Sequence, residues 1–243
     1  MWLYSYYFFL GFAPAIFYVW YMYKKDKWEP EPTSQVVKIF FIGIVSILPA
    51  GLLEWFFQSQ VFQITAQSMQ QFLSLNLAIC FLVIAPIEEF FKYSVVKVFI
   101  YPNKDFNEKV DGVVYMVAAA MGFSALENVM YILNIGSMSD ATRATWVGLM
   151  RGVLSTPAHA IFSGFVGVYL GEARFAPTRS KALGLTVIGL LIGILLHGLY
   201  NALVFYGLAI LVIPLLLVSG FILMKKINRL VDESPFKPAQ KQE

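Results

Sequence analysis

Seven stretches of this chain run apolar for roughly 20 residues, the length an α-helix needs to cross a bilayer. They are Trp2 to Tyr23, Val36 to Phe57, Phe72 to Ile100, Gly112 to Leu133, Thr145 to Leu170, Leu183 to Phe205 and Leu208 to Met224. In hydrocarbon every backbone N–H and C=O must be bonded within the protein, which leaves only helices and closed barrels. These stretches are about twice as long as a barrel strand, so the expected fold is all-α: a polytopic membrane helix bundle of about seven transmembrane helices. Composition agrees, with 58% hydrophobic and 14% charged residues, where a soluble domain carries about 25% charge. Residues 1–230 read as a single transmembrane domain, and 231–243, rich in Pro, Lys and Glu, as a flexible cytoplasmic tail.

Lys and Arg in short loops set the orientation of such a bundle. Lys24, Lys25 and Lys27 follow span one, Lys104 and Lys109 span three, Arg174, Arg179 and Lys181 span five, and Lys225, Lys226 and Arg229 span seven. The alternate loops, Gln58 to Gln71 and Asn134 to Ala144, hold only Arg143. The expectation is an outside N-terminus and a cytoplasmic C-terminus. Basic residues follow the first span and do not precede it, so it reads as a retained helix and not a cleaved signal.

The net charge of +3 is then mostly a topology signal, and no basic patch interleaved with aromatics suggests nucleic acid. The single cysteine, Cys80, excludes an internal disulfide and a cysteine-based metal cluster. No long-period repeat is present.

Ionisable side chains at membrane depth are costly and face the bundle interior or a wet cavity. Here they are Glu88, Glu89 and Lys92 in span three, Glu127 beside Asn128 in span four, Arg151 and His159 in span five, and His197 with Asn201 in span six. Counting about 1.5 Å per residue from the basic ends of the spans puts Glu88 and His159 roughly 20 Å deep, and Glu127 and His197 roughly 24 Å. Four separate stretches reach one layer, in the outer half of a core about 30 Å thick. His197 and Asn201 share a helical face, as do Glu88 and Lys92. Pro86 and Pro157 each stand two residues before a polar group and are expected to kink the helix there. Small residues in spans four and six mark them as the central helices, with span seven peripheral. Arg151 and Glu54 read as residues of the outer interface, where long charged side chains snorkel, and Ser155, Thr156 and Ser163 as bonders between helices.

Two adjacent carboxylates in a dry site cannot both ionise easily, so one of Glu88 and Glu89 suits a general base for water. Glu127, His159 and His197 then form either a three-ligand metal site with an open water position, a set that suits zinc, or donors for an oxyanion. Both describe hydrolysis of an acyl bond.

The series Glu88-Glu89-x-x-Lys92, Phe123-x-x-x-Glu127, His159 with Phe162, and His197-x-x-x-Asn201 resembles the PrsW family of intramembrane proteases, related to the CAAX prenyl endopeptidases and bacteriocin-processing enzymes. Gly11-Phe12-Ala13-Pro14 and Lys25-Asp26-Lys27-Trp28-Glu29-Pro30 resemble it too, so the likeness covers most of the chain. Glu127 stands where the wider group usually has histidine. The resemblance implies a bacterial cell-membrane protease making the site-1 cut in a single-span anti-sigma factor on its extracytoplasmic side. It implies essential roles for Glu88 and Glu89, with Glu127, His159 and His197 completing the site. Asn201 is then an oxyanion donor or an orienter of His197. Metal-dependent and metal-free glutamate mechanisms both remain open to these residues.

Two other readings compete. Acids and histidines at membrane depth also build proton- or ion-coupled transporters, although no pair of matching interrupted halves is visible. Gly122-Phe123-Ser124-Ala125 has the Gly-x-Ser pattern of a serine protease with His197 as its base, a reading that leaves the two glutamates unexplained. No His-Glu-x-x-His helix is present.

Overall fold

The computed structural model describes residues 2–61, 69–137 and 140–238. Among these the chain is helical throughout, with seven segments long and apolar enough to cross a membrane. It is a multi-pass membrane protein. Helix α1 (Trp2–Tyr23) and helix α2 (Thr33–Phe56) are the first two spans, and α2 ends in a π-helical turn, Phe57–Val61. The third span is composite: α3 (Met69–Ile79) passes through a π-helical turn (Cys80–Ile84) into α4 (Ala85–Phe99). Helix α5 (Asp111–Ser137) is the fourth. The fifth joins α6 (Ala141–Met150) through another π-helical turn (Arg151–Ser155) to α7 (Thr156–Arg174), and α8 (Arg179–Phe205) and α9 (Val212–Asp232) complete the set.

Both kinks expected at proline take this π form. Pro86 and Pro157 lack the N–H that would bond four residues back. The residue before each reaches five back instead, Ala85 N–H to Cys80 O and Thr156 N–H to Arg151 O. Such one-turn widenings cluster at functional sites, and these two sit just before Glu88 and His159.

The middle of the bundle is α5, with 83% of its 18-residue apolar stretch buried, and the α6–α7 span, with 78%. The second expected central helix, span six, is not central: α8 is only 22% buried. Of its glycines, Gly193 packs against Val166 and Gly198 against Phe81, while Gly184 meets nothing, and Leu183, Leu191, Leu195 and Leu199 face outward. Small residues record how closely a helix approaches one neighbour, not how many neighbours surround it. The closest helix–helix approach among the described residues is α2 on α5, where a Cβ on Gly122 would lie 1.9 Å from Phe40 O. Helix α9 leaves Leu217, Val218 and Phe221 exposed, as a peripheral span should. It runs on through Asp232, with Val231 buried and its carbonyl accepting from Trp28 Nε1 at 3.1 Å, so the start of the presumed tail is packed. Of the loop from Gln58 to Gln71, residues 62–68 lie outside the described residues.

Candidate active site

Helices α4, α5, α7 and α8 meet around one buried polar cluster, to which each contributes a residue from the expected set. Glu88, Glu89, Lys92, His159 and His197 are all 5% exposed or less. An ensemble this polar survives in a dry core only when its members satisfy one another.

Lys92 is the hub. Its Nζ donates to Glu88 Oε2 at 2.9 Å and Glu89 Oε1 at 3.0 Å, lies 2.8 Å from His159 Nδ1, and stands 4.6 Å from the centre of the Phe123 ring. Residues three and four apart on α4 put both acids within reach of one ammonium. The adjacent carboxylates are therefore not two bare like charges, as the sequence suggested, but a pair around a shared cation.

Glu89 is saturated. It accepts from Lys92, from Ser163 Oγ at 2.7 Å, and sits 3.0 Å from His197 Nδ1. Glu127 occupies the equivalent place beside the other imidazole, its Oε2 lying 3.0 Å from His159 Nε2 and 2.8 Å from Arg151 Nη2. Each histidine thus has one ring nitrogen 3.0 Å from a carboxylate, the arrangement that fixes tautomer and ring orientation in metal-ligating histidines. The remaining nitrogens, His159 Nδ1 and His197 Nε2, face Glu88 Oε2 at 3.9 and 3.8 Å. One donor atom each from Glu88, His159 and His197 lies within 4.8 Å of the others. Tetrahedral zinc at bond lengths near 2.1 Å needs ligand separations of about 3.4 Å. Drawing these three atoms together, with Lys92 Nζ displaced from His159 Nδ1 and Glu88 Oε2, reaches that spacing, so the donor set suits a metal.

The geometry brings together five of the six candidate residues, but with a different division between them. The acid grouped with both histidines is Glu88; Glu127, expected as a ligand, lies behind His159. Asn201 is half-buried one turn beyond His197 and makes no hydrogen bond to the cluster among the described residues. Ser163 and Thr156 do bond between helices, to Glu89 and from Asn128 Nδ2. The Ser124 hydroxyl is wholly buried with no hydrogen-bond partner, so no base addresses it and the serine reading loses its support.

Arg151 is the residue that sequence reasoning misplaced. It is not an interface side chain: it holds Glu127, donates from Nε to Asn128 Oδ1 at 2.7 Å, and covers the Tyr131 ring at 3.9 Å. It opens the π-helical turn, and depth, which placed it at the interface, does not tell which face of the helix it takes. Glu127 and Tyr131, one turn apart on α5, were the available signal for a cation opposite. Glu54, also assigned to the interface, feels the charges of Glu88 and Glu127 from α2.

Residues 31–224 match the sequence profile of the family described as PrsW family intramembrane metalloprotease. Among curated proteins, Protease PrsW of Geobacillus kaustophilus is 31% identical over 79% of this chain and 76% of its own length. Protease PrsW of Bacillus subtilis is 30% identical over 79% of each. That of Clostridioides difficile is 30% identical over 91% of this chain and 87% of the relative. No solved structure matches.

Proposed function

The chain belongs to the PrsW family of intramembrane metalloproteases, and from that premise we propose that it cuts a single-span membrane protein of the anti-sigma-factor kind in the bacterial cell membrane. The observation that carries the mechanism is the convergence of Glu88, His159 and His197, with a separate carboxylate behind each imidazole.

In this reading Glu88 Oε2, His159 Nδ1 and His197 Nε2 hold one divalent ion, zinc by its donor set. The ion supplies Lewis acidity to a water and to the scissile carbonyl. The protein's own residues do the rest. Glu89 and Glu127 hold the two imidazoles in the tautomers that turn a lone pair toward Glu88. Lys92 supplies the counter-charge that lets two carboxylates share a dry site. Glu88 is the acid nearest both histidines and is the carboxylate ligand of that set. Asn201, one turn along α8, is the amide free to bond the substrate carbonyl as charge develops on it.

One observation favours a second reading. Lys92 Nζ occupies the His159 Nδ1 lone pair at 2.8 Å and Glu88 Oε2 at 2.9 Å, the two atoms a metal needs. A metal-free mechanism, with Glu88 as base and the imidazoles as donors, uses the cluster with Lys92 where it stands.

The loop charges support an outside N-terminus and a cytoplasmic C-terminus, which sets the cluster nearer the outer face. The test is cleavage of a reconstituted single-span substrate in sealed vesicles of known sidedness, with the cut mapped by mass spectrometry. The expected cut lies toward the extracytoplasmic end of the substrate span; one toward the cytoplasmic end contradicts the orientation, and intact substrate contradicts the substrate class.

A further inference from the structure

At the other end of α5, some 16 residues and about 24 Å from Glu127, four more carboxylates are buried together. Asp26 and Glu31 come from the loop between α1 and α2, Glu108 from the loop before α5, and Asp111 opens α5. All four are 2% exposed or less. Donor oxygens of Asp26, Glu108 and Asp111 lie within 4.8 Å of one another.

The catalytic cluster has Lys92 and Arg151; this one has no basic partner among the described residues. The nearby lysines are engaged elsewhere, Lys109 with Glu233 and Lys27 over the Trp28 ring. Some oxygens are accounted for. Asp111 Oδ2 accepts from the backbone of Asn107 at 2.7 Å and Glu108 at 2.8 Å, and Glu31 Oε2 accepts from Tyr115 at 2.5 Å. Five are not: Asp26 Oδ2, Glu31 Oε1, both oxygens of Glu108, and Asp111 Oδ1 are buried without a hydrogen-bond partner. Glu31 stands outside the three-residue group, yet its unpartnered oxygen belongs to a side chain 1% exposed that feels the charges of both Asp111 and Asp26. Buried acceptors left unpaired cost too much to be incidental.

We propose that Asp26, Glu31, Glu108 and Asp111 form a binding site for a hard divalent cation, distinct from the catalytic centre, which ties the α1–α2 loop to the start of α5. All-oxygen ligands select Ca²⁺ or Mg²⁺ over zinc. Opposed ligands of Ca²⁺ at 2.3–2.6 Å stand at most about 5 Å apart, which matches the observed spread; Mg²⁺ at about 2.1 Å requires the loops to draw in. With no cation Asp26 and Glu31 hold protons at pH 7. Burial, reinforced by Glu108, pushes Asp26 up to about 8, and burial, reinforced by Asp111, pushes Glu31 up to about 10.

The experiment is thermal unfolding of the full chain in detergent, stripped with chelator and titrated with Ca²⁺ and separately with Mg²⁺ at pH 7. The expected result is a saturable rise of the midpoint, about 5 °C or more at 100 times Kd. It should persist in Glu88→Gln, which separates this site from the catalytic one. In Glu108→Gln the half-saturating concentration should move up at least tenfold while the cation-free midpoint stays at or above wild type, since one of several repelling acids is gone. If that variant does not fold, Asp26→Asn reads the same quantity. A flat wild-type titration with both cations, or an equal response in the variant, overturns the proposal and leaves the acids held by shared protons alone.

Discussion

Glu88 and Glu89 are neighbours of one residue type, yet their surroundings give them different work. Glu89 is fully enclosed and every partner it has, Lys92, Ser163 and His197, holds it in place. Glu88 presents an oxygen toward both imidazoles. Glu89→Gln therefore keeps the shape of the site but weakens the brace on His197, and metal affinity should fall about 10–100-fold. Isothermal titration of the metal-stripped variant measures this; unchanged affinity would show that Glu89 serves packing only. Which residues gather was legible in the sequence, because helical spacing from the loop charges placed four polar groups in one layer. Which carboxylate backs which imidazole was not. That depends on the rotation of α5 and α7 about their axes, which a π-helical turn at Arg151 changes without any sign in the hydropathy.

Hydropathy located all seven membrane-crossing elements, since roughly 20 apolar residues admit few other structures. It could not reveal that the third and fifth spans are each broken by a π-helical turn ahead of a proline, although Pro86 and Pro157 marked the places. These turns fix the faces of the segments that carry Glu88 and His159, so the breaks belong to the construction of the site. The closest helix approach is equally specific. A methyl group on Gly122 would meet Phe40 O at 1.9 Å, and both atoms belong to backbones that can move only by separating α2 from α5. Gly122→Ala should cost about 1–3 kcal/mol, which lowers the unfolding midpoint in detergent by about 2–4 °C for each kcal/mol. An unshifted midpoint would mean that the two helices cross less tightly.

At the scale of the whole molecule, one central helix separates two buried polar centres. The polar cluster near Glu127 is balanced by Lys92 and Arg151, whereas the acids around Asp111 have no basic partner among the described residues. The surrounding helices bury one face each and leave their Leu, Ile, Val and Phe outward, so the bundle presents an apolar surface to lipid. The sequence identified this class of molecule because its composition allows hardly anything else; the second acidic centre stayed hidden because its residues lie in loops, where charge is ordinary. The central claim is that Glu88, His159 and His197 hold the metal of a membrane-embedded protease. Its most direct test measures bound metal and substrate cleavage on the same samples of wild type and Glu88→Gln, before and after chelation. The account predicts about one metal per wild-type chain, loss of metal and cleavage together on chelation, and neither in Glu88→Gln. Full-rate cleavage by metal-free wild type, or undiminished cleavage by Glu88→Gln, would contradict it.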